Sequence, residues 1–301
     1  MVTSNAAGEA RAAIRVEGLR FAYPPLSSGA IAPWVLDGLD LEVRAGEWLA
    51  VMGASDVGKT TLCLLLAGLA PSLTGGTLEG RVLVAGRDTQ HHPPPALAAL
   101  VGLVFQEVEA QVFNPSVEAE IAWGLENLGL PPAEIRARVE AALALFRLEG
   151  LRGRPPDGLS GGEKKRVALA SVLATRPAVI ILDEPLGGLD PAGRDEVLAA
   201  LSTLRSELDA TIVMTEGDPE AVAAFARRLV VLERPGNGGA RVALEGPPGT
   251  VFRQVERLEA LGVEVPQLVR VAGGLNRRLG TEFDFSTAGE ARKALAAYLG
   301  G

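Results

Sequence analysis

The chain is poor in the residues that carry redox, disulfide or imidazole chemistry. Cys63 is its only cysteine, so no disulfide can form within the chain and a reducing interior is expected. Lying in "TTLCLLLAGLA", its thiol is expected to be buried and structural. The only two histidines, His91 and His92, fall in the Pro-rich "TQHHPPP", where a satisfied surface pair is expected. Basic residues are outnumbered, 29 Lys and Arg against 37 Asp and Glu, which argues against nonspecific nucleic-acid binding. The one dense basic cluster, Lys164 to Arg166, reads as a solvated helix face. No signal-like hydrophobic segment opens the chain. No continuous apolar run is long enough to span a bilayer, "TLCLLLAGLAPSLTGGTL" being broken by Pro, Gly, Ser and Thr. Any membrane role is therefore expected to come through a partner.

What is present is ample core material: 301 residues, 48% of them hydrophobic, enough for a large domain and a smaller second one. Residues 1–11 read as a loose polar tail. Short strands are expected between Ile14 and Arg44 around the loop "YPPLSSGAIAPW". "EWLAVMG" reads as a buried strand running into a glycine loop and a helix from Lys59. "ALVGLVFQ", "AVIILDEP" and "ATIVMTEGD" are further apolar strands ending in polar residues. Strands alternating with helical segments predict an α/β fold with a mostly parallel sheet and sites at its strand C-termini. A helical insertion is expected at about 107–174, within a domain spanning 12–245. A helical extension, 246–301, should follow, with "TVFRQVERLEALGV" as one amphipathic helix and "PQLVRVAGGLNRRLG" as a weaker candidate.

Three motifs carry chemistry. Gly53 to Thr60, with Ala54, Ser55, Asp56, Val57, Gly58 and Lys59 between, matches G-x-x-x-x-G-K-[ST] at a strand-to-helix junction. Its N–H groups would wrap a β-phosphate, Lys59 would reach the β- and γ-phosphates, and Thr60 would hold Mg²⁺. In "VIILDE" an apolar strand delivers Asp183 to the metal and Glu184 to the place of an attacking water. In "LSGGEKKRVALA", Ser160 and Glu163 form a capping-box pattern, and Gly161 and Gly162 leave the helix end bare, a second anion site. One chain thus carries two phosphate grips.

The ordered set "GASDVGKTT", "VFQ", "LSGGE", "VIILDEP" and "GGLD" resembles the ATPase subunit of an ABC transporter, over roughly Ile14 to Leu244. The resemblance implies a P-loop ABC ATPase fold with an antiparallel β subdomain and a helical subdomain. It implies ATP and Mg²⁺ as ligands, with Thr61 beside the phosphates, Tyr23 stacked on adenine and Gln106 on the metal and relaying to a membrane partner. Read without it, Tyr23 is a turn aromatic and Gln106 a strand-end amide. It further implies a head-to-tail pair in which the Ser160–Gly162 signature of one subunit completes the other's phosphate site. "VFQEVEAQVFNPSVEAEIAWGLENLGLP" and the tail are similar to the energy-coupling-factor branch, whose ATPases drive uptake of vitamins and transition-metal ions. The implied partners are a second ABC ATPase subunit, a transmembrane coupling protein and a substrate-capture subunit. The implied location is peripheral, on the cytoplasmic side of the cell membrane. A soluble ABC ATPase acting on DNA or ribosomes, and a nucleotide-binding scaffold without useful turnover, are the alternatives.

The chain departs from that pattern at three places. Gly217 stands where a His would contact the γ-phosphate, and losing one such donor costs about 10²–10³ in rate. Asp56 replaces a residue that is usually Gly; at about 5 Å from a phosphate, repulsion would be on the order of 3 kcal/mol before screening. Gly187 in "GGLD" replaces a common Ser. A slow site of its own and an intact signature offered to a partner are expected, so of a homodimer and a heterodimer the heterodimer is favoured.

Overall fold

The computed structural model describes residues 12–25, 27, 32–207, 210–236 and 238–299; the expected N-terminal tail, 1–11, lies outside them. A four-stranded antiparallel sheet is built from β1 (Ala12–Ala22), β2 (Leu36–Arg44), β4 (Thr77–Val84) and β5 (Arg87–Asp88), in the order β2-β1-β4-β5. In β2, Leu39, Leu41 and Val43 face the core while Asp40, Glu42 and Arg44 face solvent, the period of a half-buried strand.

A six-stranded sheet holds β3 (Trp48–Met52), β6 (Val101–Val104), β7 (Val179–Asp183), β8 (Thr211–Thr215), β9 (Arg228–Glu233) and β10 (Arg241–Gly246), ordered β10-β9-β3-β8-β7-β6. All neighbours are parallel except β9 and β10. Strands β3, β7 and β8 are buried along their whole length, which explains their unbroken apolar runs. Around the sheet lie α1 (Lys59–Leu66), α2 (Pro94–Leu97), α3 (Val117–Asn127), α4 (Pro132–Leu145), α5 (Gly161–Ala174), α6 (Pro191–Glu207) and α7 (Pro219–Phe225). The helical stretch expected near 107–174 is present as α3, α4 and α5. These share one core through Val117, Ile121, Leu125, Leu143, Phe146, Val167 and Leu169. Helix α5 can lie close on β6 because Gly102 has no side chain; a Cβ there would stand 2.3 Å from Val172.

The basic cluster on α5 is not a solvated face. Lys165 and Arg166 are buried, 6% and 7% exposed, because α5 is packed by α3, α4, α6 and β6. Arg166 survives burial by donating to the carbonyls of Phe146 (2.9 Å) and Arg147 (3.2 Å) and pairing with Glu196.

The single amphipathic helix expected over "TVFRQVERLEALGV" is two, α8 (Pro248–Phe252) and α9 (Val255–Ala260). The chain turns between them at Arg253 and Gln254, and Val251, Phe252 and Leu258 all enter one core with Val263 and Val265. That core includes Met52, Leu229 and Val231 of the sheet. The turn at Gly262 reaches the phosphate loop, its Cβ position 3.5 Å from the Ala54 Cβ. The weaker candidate is a full helix, α10 (Gln267–Leu279), followed by α11 (Ala288–Leu299). Ala272, Phe285 and Ala291 form a small core between them.

Candidate functional site

The loops after β3, β6, β7 and β8 all leave the same edge of the parallel strands, and the chemistry-bearing residues gather there. Gly53 to Gly58 closes over the end of β3. A Cβ at Gly53 would stand 2.9 Å from the Leu232 carbonyl, and Gly58 takes φ 115°, a conformation only glycine adopts without strain. No side chain caps α1 behind Gly58, so its first-turn N–H groups remain for an anion. Lys59, 9% exposed, donates from Nζ to the carbonyls of Gly53 (3.1 Å) and Ala54 (3.2 Å). Its ammonium is 3.7 Å from Glu184 Oε1.

Asp183 and Glu184 end β7 differently. Asp183 is 1% exposed and its Oδ1 accepts from the Thr215 hydroxyl at 2.6 Å; Thr215 lies opposite it in the β7–β8 register. Cys63 lies against this pair, and burial, then the Asp183 charge, pushes its thiol well up; it is the inert thiol expected. Glu184 sits at φ 45°, a left-handed conformation costing a non-glycine residue about 1–2 kcal/mol. Its N–H donates to Thr215 at both carbonyl and hydroxyl, 3.1 Å each. Its carbonyl accepts from Lys165 Nζ at 3.0 Å. Backbone strain held in place on a carboxylate beside a phosphate loop is the mark of a functional position. Gln106, at the end of β6, donates from Nε2 to Glu184 Oε2 at 2.8 Å. Lys59, Glu184 and Gln106 are thereby brought together.

Two neighbours organise this edge. Gln111 donates to the Leu103 carbonyl (2.9 Å) and accepts from the Phe105 N–H (3.1 Å), prolonging β6 up to Gln106. Glu216, directly after β8 and 4% exposed, accepts from the N–H groups of Leu186, Gly217 and Asp218. Burial pushes its carboxyl above the ordinary carboxylate range. Gly217 itself has nothing but open space where a side chain would begin.

The signature stands apart. Ser160 caps α5: its Oγ accepts from the Glu163 N–H (3.2 Å) while the Glu163 carboxylate accepts from the Ser160 N–H (2.8 Å). Gly161 faces open space, whereas Gly162 is buried against Gly193, 2.9 Å from a Cβ placed there. One of the two glycines is therefore spent on helix packing rather than on baring an anion site. Among the described residues no hydrogen bond joins Ser160–Glu163 to the phosphate loop.

The remaining residues are placed as follows. Tyr23 meets Phe21 edge to face at 4.9 Å, and its hydroxyl is 3.2 Å from Thr61 Oγ1. Thr60 is exposed at the start of α1. Asp56 takes φ 59° and lines, with Ser55, Arg234 and Ala260, an open recess of about 260 Å³ behind the loop. Val57 is buried under the loop. His91 is exposed and pairs with Asp88, and His92 meets the Asp88 carbonyl, the surface arrangement expected of them.

A glycine loop closed by a buried lysine, with a carboxylate pair at the end of another strand of the same sheet, defines a P-loop nucleoside-triphosphatase of mixed α/β fold. The family model described as "ABC transporter" matches residues 36–187. An ABC transporter ATP-binding protein of Pyrococcus abyssi is 41% identical over 265 residues, covering 88% of this chain and 91% of that protein. The energy-coupling factor transporter ATP-binding protein EcfA1 of Symbiobacterium thermophilum is 44% identical over 264 residues, 86% of this chain and 88% of its own. The solved structure of CbiO1 from Clostridium perfringens, described as part of the ABC transporter complex cbiONQ, superposes with TM-score 0.68. It shares 32% identity over 89% of this chain and 96% of that one. The chain belongs to the ABC transporter ATP-binding family, and it is an ABC-type ATPase.

Proposed function

We propose that this ATPase is one subunit of an energy-coupling-factor importer of a vitamin or a transition-metal ion, and that its phosphate loop works against the signature of a second ABC ATPase subunit. The observation that carries this reading is the separation within one chain. Lys59, Glu184 and Gln106 converge at one sheet edge, while among the described residues no hydrogen bond joins the capped start of α5, Ser160–Glu163, to the phosphate loop. Such a grip has work to do only on a nucleotide held by another subunit. The likeness to EcfA1 and to CbiO1 supports the importer branch.

In this reading Lys59 turns from the loop carbonyls to the β- and γ-phosphates. Glu184 takes a proton from the water whose oxygen bonds to phosphorus as the bond to the ADP oxygen breaks. Thr60, Asp183 and the amide oxygen of Gln106 form an all-oxygen set that suits a hard cation, and they would hold Mg²⁺. Mg²⁺ would supply charge neutralisation between the β- and γ-phosphates. The donor set fits because Gln106 spends its amide nitrogen on Glu184, which leaves the oxygen for the cation. Tyr23 lies beside the start of α1, where the base would follow the phosphates.

The transmembrane coupling protein would dock beside Gln106. Phe113 and Trp123, edge to face at 5.9 Å, stay 64% and 44% exposed and would join that contact. The Phe113–Asn114 backbone is pinned by the buried Glu120 carboxylate. Among the described residues no helix is long and apolar enough to cross a membrane, in keeping with a peripheral place on the cytoplasmic face. Residues 12–245 form the ATP-binding domain and 246–301 its extension. With Gly217 after Glu216 and both histidines far off in sequence, the chain's own site turns over slowly, and a heterodimer is favoured. The test is single-turnover hydrolysis with Glu184→Gln here and the equivalent change in the partner. A loss of about 10²–10⁴ at the partner's site and a much smaller one here is expected; equal losses would sink the asymmetry. Membrane pull-down should bring down a transmembrane protein and a second ATPase. Recovery of DNA or ribosomes instead would favour the soluble class.

A further inference from the structure

Two buried charges have no part in the chemistry assigned above, and both hold the turn that carries Glu184. Lys165, one turn into α5, donates from Nζ to the carbonyls of Glu184 (3.0 Å) and Gly187 (2.6 Å). Glu216, leaving β8, accepts at Oε2 from the Leu186 N–H (3.3 Å) and at Oε1 from Gly217 (2.9 Å) and Asp218 (3.1 Å). The turn itself is closed by the Gly187 N–H on the Glu184 carbonyl at 3.0 Å. One four-residue turn is thus gripped by a cation reaching from α5 and a carboxylate reaching from the end of β8.

Burial works against both charges. It pulls the Lys165 ammonium below its ordinary value and pushes the Glu216 carboxyl above its own. Of the charges that favour protonated Lys165, Glu216 is foremost, followed by Glu109, Glu184 and Asp183. Around Glu216, Glu184 opposes its ionisation and Arg194 favours it. Both are spent on backbone groups of this turn, so their contribution is sought in geometry.

We propose that Lys165 and Glu216 are joint positioning residues that set the Glu184–Gly187 turn, and that Lys165 ties this turn to the helix whose first residues are the signature. The inference rests on the role of Glu184 given above. Its consequence is that the two nucleotide grips of one chain are mechanically joined. A displacement of the Ser160–Gly162 end, which meets the partner's nucleotide, is carried one helical turn to Lys165. From there it passes to the backbone of Glu184, which serves the chain's own nucleotide.

The experiment compares the full chain with Lys165→Met, Glu216→Gln, the double variant and Lys165→Arg. Hydrogen exchange of the 184–190 peptide is measured first, then MgATP turnover and nucleotide-binding stoichiometry. Exchange of that peptide is expected to rise severalfold in Lys165→Met and Glu216→Gln, with the 179–183 strand unchanged. In Lys165→Met, kcat should fall about tenfold with KM for ATP within about twofold. The double variant should lose less than the product of the two single losses, and Lys165→Arg should keep most of the rate. Unchanged exchange at 184–190 would overturn the clamp whether or not the chain turns over quickly. Faster exchange with unaltered kcat, or a loss confined to KM or to the binding-competent fraction, would overturn the positioning role. Turnover is read with the partner ATPase subunit present, so an assembled wild type without turnover would count against Glu184 itself, and exchange would still decide the clamp.

Discussion

The two helix N-termini that the proposed reading assigns to phosphate are built in opposite ways. Helix α1 begins behind Gly58 with no side-chain cap and a buried lysine as its first residue. Helix α5 begins behind Ser160 with both arms of a capping box made and a carboxylate in its first turn. The α1 end keeps its donors uncommitted and adds positive charge, so it can bind a polyanion by itself. The α5 end has already satisfied part of its donors and placed an anion of its own there. It needs no ligand to be stable, and it holds one well only when the ligand's charge is neutralised elsewhere. That is what a second grip on an already bound nucleotide requires.

The sharpest way to break this contrast is Lys59→Ala. It should weaken nucleotide binding at this chain's own loop by about 10²-fold, since a buried cation that pairs with the phosphates is removed, with little change in melting temperature, measured by titration with a fluorescent ATP analogue and calorimetry. Asp56→Gly, on the same loop, should tighten nucleotide binding by on the order of tenfold or less, because a screened negative charge is removed; titration with a fluorescent ATP analogue reads it. On the other helix the effect should fall on folding instead. Ser160→Ala should cost about 1 kcal/mol of stability in a denaturant titration while leaving binding at the chain's own phosphate loop intact. Smallest is Glu163→Gln. The Ser160 N–H holds the Glu163 carboxyl below its ordinary 4.5, so its contribution is complete above that pH and is lost as pH falls through the lower folded value. Wild type and variant should therefore differ at pH 7 and converge in acid.

The contrast was legible in part from sequence. Both helix starts, the capping box, the loop and the Asp183–Glu184 pair depend on local spacing, which a linear reading follows well. What escaped it depends on reach across the fold. Lys165 and Arg166 look like any charged pair on a helix, and only the packing of α5 on every side buries them. Glu216 acts on the backbone of a segment thirty residues upstream, and nothing in its neighbours along the chain points there. The fourteen residues of "TVFRQVERLEALGV" have helical periodicity throughout, yet the core beneath β9 favours a bend at Gln254. Gly162 had a local reading, a bare helix end, but Gly193 from a distant segment claims its open side.

The touch of Gly262 on Ala54, with Val263 and Val265 packed in one core with Met52, gives the extension a hand on the ATP loop's rear wall. Clipping it off at Gly246 would strip oil from beneath the strand that aims that loop. The tail is thus less an appendage than a backrest, and a partner that pulled upon it would be felt where the phosphates sit.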